Sequence, residues 1–245
     1  MSDSAHRRSF SPTRWSLVAS AGAEQDALRR REALQTLCQG YWYPLYAALR
    51  QMGCASGEAE DVLQEFFAML IERSVIAAAD PARGRFRAFL LAALRHFLAN
   101  QRDKARAQKR GGGMQIISLD IAGAEDRYRQ EPTHDLTAER LFDRRWAVQL
   151  LDRALGQLQE QYARDEKSAL FEALKPMLTA ADEPGESYAR IAALMGMTPD
   201  AVKTAAHRLR RRYRDVLRAA IAETVADDAE IDQEIRYLFG ALKST

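Results

Sequence analysis

The stretch Tyr188–Arg218, "YARIAALMGMTPDAVKTAAHRLRRRYRDVLR", decides the fold. Its first turns set Ile191, Ala192 and Met195 on one helical face. Gly196 supplies the left-handed backbone that ends a helix tightly. Thr198 is a good N-cap, Pro199 is pre-set for the first helical position, and Asp200 sits at the positive end of the next helix dipole. In that next helix Val202, Ala206, Leu209, Tyr213 and Val216 share an inward face, while Lys203, His207, Arg210, Arg211 and Arg214 project from the other. Two helices on a short glycine-containing turn make the unit that reads duplex DNA. Thr198, Asp200, Lys203, Thr204 and His207 lie in the N-terminal half, where base edges are reached; the downstream arginines, Arg208 and Arg211 among them, suit phosphates. A charged, solvated bundle face is the plain rival, and the capped turn argues against it.

Working outward, the rest of the chain is also helical in pattern. Ala, Leu, Arg, Glu and Gln dominate its 245 residues, β-branched residues are sparse outside "MQIISL", and few windows alternate as a half-buried strand would. The expected class is all-α, as two small helical domains joined by a flexible linker. The expected map is a polar arm at 1–25, a helical domain at 26–110, a linker at 111–140 marked by Gly111–Gly113, a helix-turn-helix domain at 141–222, and an acidic extension at 223–245. Pro44 is expected to interrupt or kink the helix it falls in.

The net charge of +2 conceals a segregated pattern. "FRAFLLAALRHFLANQRDKARAQKRGGG", Phe86–Gly113, begins as a core-like helix and ends cation-rich. Phe86, Phe89, Leu90, Ala93, Leu94, Phe97 and Leu98 form its buried stripe. Arg95, Arg102, Arg106 and Lys109 share one flank, with His96, Asn100 and Asp103 beside them. Cations next to planar hydrogen-bonding groups suit nucleic acid, phosphates to the former and bases to the latter. In the preceding helix, "EAEDVLQEFF", Asp61 and Glu65 form an i,i+4 like-charge pair, with Glu58 and Glu60 at the same end and no lysine or arginine between Arg50 and Arg73. Such a pair weakens a helix by a few tenths of a kcal/mol. A cationic protein partner explains it better than a solubilising face, which mixed signs would serve at lower cost.

"EAEDVLQEFF", then "FRAFLLAALRHFLAN", then the distant "YARIAALMGMTPDAVKTAAHRLRRR" together resemble the bacterial sigma factors of the extracytoplasmic-function class. The resemblance implies two helical domains, regions 2 and 4, and a role in transcription initiation. It implies docking of the acid-rich helix on the clamp helices of the largest subunit of RNA polymerase core, with Glu60, Asp61, Gln64 and Glu65 at or beside the matching positions. It implies that the basic helix and the loop before it, carrying Arg85, Arg87, Arg95, His96, Asn100, Arg102 and Arg106, capture the −10 promoter element as single strand. The helix-turn-helix would read the −35 duplex through Thr198, Asp200, Lys203, Thr204, His207, Arg208 and Arg211. His96 stands where the family usually has Asn, Phe89 where it has Trp, and the stretch from Leu158 to Tyr188 is longer than in the family's compact region 4. An anti-sigma factor or a regulatory kinase would fit such a protein, and no residue marks either.

Other classes fare worse. No phosphate-binding glycine loop, C-x-x-C or H-E-x-x-H is present, and His6, His96, His134 and His207 are far apart. No enzyme activity, metal or cofactor is expected, and Cys38 and Cys54 read as buried or incidental. The alternative function is a conventional helix-turn-helix regulator that binds duplex operator without polymerase; the acid-rich helix discriminates against it. No apolar run reaches the roughly 18 residues of a membrane span, and the N-terminus lacks a signal-peptide core. The expected location is the cytoplasm.

Overall fold

The structure, a computed structural model, describes residues 40–72, 85–107, 123–130, 136–178, 184–222, 224–225 and 227–243. The arm expected at 1–25, together with Cys38, His134 and the loop residues 80–84, lies outside the described residues. Among the described residues all regular structure is helical and there is no strand, so the all-α expectation is met. No described helix is long and apolar enough to cross a membrane. The described residues fall into two compact units, divided at 147/148 and again at 220/221.

In the first unit, described residues 40–51 are helical and are here called α1. It runs through Pro44 without interruption, because Tyr41, Tyr43, Leu45, Tyr46 and Leu49 are all buried and packing outweighs the roughly 3 kcal/mol a mid-helix proline costs. Gly53, at φ +88°, ends it: the Gly53 N–H donates to the Arg50 carbonyl at 3.0 Å and the Cys54 N–H to the Leu49 carbonyl at 3.1 Å. Then α2, Ser56–Glu72, buries Leu63, Phe66, Phe67 and Leu70 along one stripe. Its start is capped from within, the Ala55 N–H donating to the Glu58 carboxylate at 3.3 Å. The next helix, α3, is Phe86–Ala107, and Phe86, Leu90, Leu94 and Leu98 face the core at spacings of four. Phe97 meets Phe66 with ring centres 5.8 Å apart, joining α3 to α2.

The segment expected as linker departs from that expectation where it is described. Residues Ala124–Gln130 form a short helix, α4, whose Glu125 is a hub: Tyr46 donates its hydroxyl to it at 2.7 Å, Arg50 donates at 3.1 Å, and Arg129 at 3.0 Å. Tyr128 packs beside Ala47, Leu136 and Leu141. A polar stretch too short to show periodicity is thus held by side-chain bonds to α1. Burial pushes the Tyr46 hydroxyl pKa up from 10.0 to about 12, with Glu125 adding and a bond to Ser56 opposing. A raised folded-state pKa means that this stabilisation is whole below pH 10.0 and is lost as pH climbs toward 12. Tyr46→Phe is expected to cost about 1 kcal/mol at neutral pH and to flatten the alkaline loss, as denaturant titrations at neutral and at about pH 11 would show.

The long helix α5, Ala138–Arg164, contributes Leu141, Phe142 and Trp146 to this core, Trp146 stacking on Tyr41 at 6.3 Å between ring centres. The unit boundary at 147/148 therefore falls inside a helix rather than at the expected 140/141. The described part of the C-terminal extension, including a helix at Ile231–Lys243, also belongs to this first unit.

The second unit, from Val148 to Ala220, packs the C-terminal part of α5 with α6 (Ser168–Leu174), a 3₁₀ turn at Lys175–Leu178, α7 (Pro184–Met195) and α8, which runs Pro199–Ala222 and leaves the unit after Ala220. Leu158, Tyr162, Phe171, Leu174, Met177 and Leu209 are central to its core. Of the described residues between Leu158 and Tyr188, Tyr162, Phe171, Leu174 and Met177 belong to this core. Glu166, at φ +59°, takes the left-handed position that ends α5, the Lys167 N–H reaching back to the Tyr162 carbonyl at 2.8 Å. The helix Ile231–Lys243 is numbered α9.

Candidate nucleic-acid interface

The turn between α7 and α8 is built as its sequence dictates. Gly196 sits at φ +64°, and the Met197 N–H donates to the Ala192 carbonyl at 2.9 Å, the long-range bond of a Schellman end. Two residues later the Thr198 hydroxyl oxygen accepts from the Ala201 N–H at 3.2 Å, so Thr198 is the N-cap of α8. Val202, Ala206 and Leu209 are fully buried against Ile191 and Ala192; Tyr213 and Val216 are half-buried. The opposite face carries Asp200, Lys203, Thr204, His207, Arg208 and Arg211, all exposed like Thr198. From Asp200 to Arg211 this face spans about 16 Å of helix.

Not every arginine of α8 is free for a partner. Arg210 turns back and donates from Nε and Nη2 to the Met177 carbonyl at 3.2 and 3.1 Å, and Arg212 pairs with Asp165 at 3.3 Å. These two staple the helix to its own unit. Lys203, Arg208 and Arg211 have no carboxylate partner among the described residues.

On α3 the predicted cationic flank is present but engaged at home. Arg95 is exposed and pairs with Glu139 of α5; Arg102 is exposed, 4.0 Å from Glu58 and 3.5 Å from the Cys54 sulfur. His96 and Asn100 are exposed beside them. Arg106 continues the helix, and its side chain lies outside the described residues.

Arg85 and Arg87 differ from the expectation of an open surface. Arg87 is only 4% exposed: its Nε donates to Asp143 at 2.9 Å, its Nη1 to Glu234, and its guanidinium lies 4.8 Å from the Trp146 ring centre. Burial works against its charge, but Glu234 and then Asp143 outweigh burial and hold its pKa above the ordinary value. Arg85 lies with its Nε 2.5 Å from the same Glu234 carboxylate, and the Tyr237 ring covers both guanidiniums at 4.4 and 5.0 Å. Glu234, Asp143, Tyr237 and Glu139 are the residues that sequence reasoning missed. One signal was available: Ile231, Glu234 and Leu238 share a face of α9, and a carboxylate within an apolar stripe requires a buried cation.

The acidic face of α2 stays open. Asp61 and Glu65 are exposed, Glu60 and Gln64 half-exposed, and Phe66 and Phe67 beneath them buried. Glu65 accepts a bond from the neutral amide of Gln101, and Ser56 donates to Glu60 at 3.4 Å. Among the described residues no cation pairs with Asp61 or Glu65. Cys54 is buried, and burial first, then the charge of Glu58, pushes its thiol pKa up, away from nucleophilic chemistry. No cluster of metal-ligating side chains occurs among the described residues. No protein-family model, curated protein or solved structure matches the chain.

Proposed function

We propose that the chain is a transcription initiation factor of the extracytoplasmic-function sigma type, its first unit acting as region 2 and its second as region 4. The observation that carries this reading is the coexistence of two accessible, oppositely charged faces on different helices: Asp61 and Glu65 on α2, without a described cationic partner, and Lys203, Arg208 and Arg211 on the capped helix α8. A duplex-reading helix accounts for the second face alone. An accessible carboxylate pair calls for a cationic protein surface as well, and RNA polymerase core is the partner that unites the two needs.

In this reading Glu60, Asp61, Gln64 and Glu65 hold the clamp helices, α8 enters the major groove at the −35 element, and α3 presents Arg95, His96, Asn100, Arg102 and Arg106 to the −10 strand. Affinity on duplex comes mainly from phosphates, so Lys203→Ala and Arg211→Ala are each expected to lower the salt slope of −35 binding by about one unit. Fluorescence anisotropy across a salt series checks this, and a loss without change of slope would remove those residues from the interface.

The function itself is tested by adding the purified chain to core polymerase and mapping transcription starts on genomic DNA. New starts that share upstream elements support the reading. Tight binding of duplex operator by the chain alone, with no effect on polymerase, would replace it with a conventional regulator.

A further inference from the structure

We infer that α9 is an intramolecular inhibitor that occupies the single-strand site at Arg85 and Arg87 by imitating a nucleotide. The inference rests on the proposed strand-capturing role of α3 and names how that role is restrained. Glu234 places one carboxylate between the two guanidiniums, Oε1 toward Arg87 Nη1 and Oε2 2.5 Å from Arg85 Nε. That is the position a bridging phosphate takes between two arginines. Three residues on, one helical turn away, Tyr237 lays its ring over both cations at 4.4 and 5.0 Å, as a base stacks on guanidinium planes. An anion and an aromatic plane, presented together to the same two arginines, are the recognition elements of a nucleotide.

The contact is also built to open. Only Ile231, Glu234 and Leu238 of α9 are buried, a stripe of one residue per turn. Glu234 is 1% exposed, and Arg87 Nη2 beside it is buried without a hydrogen-bond partner among the described residues. Desolvating ionised groups without completing their bonds costs free energy that a hydrated open form recovers. Opening releases Arg85 and uncovers one edge of Arg87, while Asp143 and Trp146 keep Arg87 anchored. Any event that lifts α9 therefore converts a self-paired surface into one that receives a strand.

The test uses the full-length chain and a fluorescein-labelled mixed-sequence DNA 12-mer. The variant Glu234→Gln/Tyr237→Ala is expected to bind the oligonucleotide at least about tenfold more tightly than the parent, the gain that follows once the closed form holds nine-tenths or more of the population. Its salt slope should equal that of the parent plus up to about 1.4 units for the two freed cations. Adding Arg85→Ala to that variant should reverse the gain. Unchanged or weaker binding with intact far-ultraviolet circular dichroism overturns the inference. Hydrogen exchange on the unmodified chain keeps the question open to refutation if the variant misfolds: saturating oligonucleotide should speed exchange across residues 231–243, and unchanged protection, or no binding at all at low salt, overturns it. Co-purification with core polymerase is scored separately. Its absence would remove the sigma reading and leave the strand competition standing, whereas its presence with α9 unresponsive to DNA would do the reverse.

Discussion

Asp61→Lys/Glu65→Lys is expected to abolish co-purification with core RNA polymerase and leave the fold in place. Both side chains are exposed and neither meets a described cation, so their replacement breaks no internal ion pair; Glu65 gives up only its bond from Gln101. The i,i+4 carboxylate repulsion becomes an ammonium repulsion of similar size, a few tenths of a kcal/mol. Phe66 and Phe67, which anchor α2, are untouched. Across an interface the effect is far larger, because a favourable contact turns into like-charge juxtaposition costing several kcal/mol, or more than about a hundredfold in affinity. Asp61→Asn/Glu65→Gln should fall between, losing attraction without gaining repulsion. Pull-down with core polymerase, alongside circular dichroism and thermal melting, checks this. Retained binding by the lysine variant would take these carboxylates out of the interface and, with them, the observation that favours an initiation factor over a free-standing regulator.

How much of this was legible in the sequence depends on how local each signal is. The turn at Gly196–Thr198 was fully legible, because a left-handed glycine, an N-cap and a first-turn proline act within a few residues of one another. The split faces of α8 followed from periodicity, and so did part of the stripe of α3: Phe86, Leu90, Leu94 and Leu98 are buried, while Phe89, Ala93 and Phe97 are half-buried and Leu91 is buried in addition. The end of α5 at Glu166 was not legible, since a non-glycine residue in left-handed backbone carries no compositional mark. Nor was α4, whose seven residues are shorter than the window in which a helical period is detectable. The largest departure concerns Arg85 and Arg87. Their charge could be read, but their partners come from Asp143 and from Glu234, the latter 147 residues away from Arg87, and nothing local encodes a pairing at that distance. A row of arginines on one flank describes what a helix offers; which carboxylates already hold it is a tertiary fact.

That distinction makes Arg87 the most informative stability variant. If it served chiefly to meet DNA, Arg87→Ala would leave the folded chain as stable as before. Its burial dictates otherwise: removing the cation strands Glu234 and weakens Asp143 in a site that excludes water, and breaking a buried pair in this way costs roughly 3–5 kcal/mol. The lower end is expected here, because Arg85 still faces Glu234 and the Tyr237 hydroxyl still donates to Asp143 at 2.5 Å. Arg85→Ala should cost under about 1 kcal/mol, its side chain being 31% exposed and able to exchange its partner's field for solvent. The double variant Arg87→Met/Glu234→Leu is expected to recover most of the loss, since replacing both members of a buried pair by apolar groups of similar volume is often neutral or better. Urea unfolding followed through Trp42 and Trp146, both in the first unit, supplies the measurement. Equal stability of Arg87→Ala and the unmodified chain would show that the pairing with α9 contributes nothing to the fold, and a double variant no better than the single one would show that lost packing, not a stranded carboxylate, is what the unit cannot tolerate.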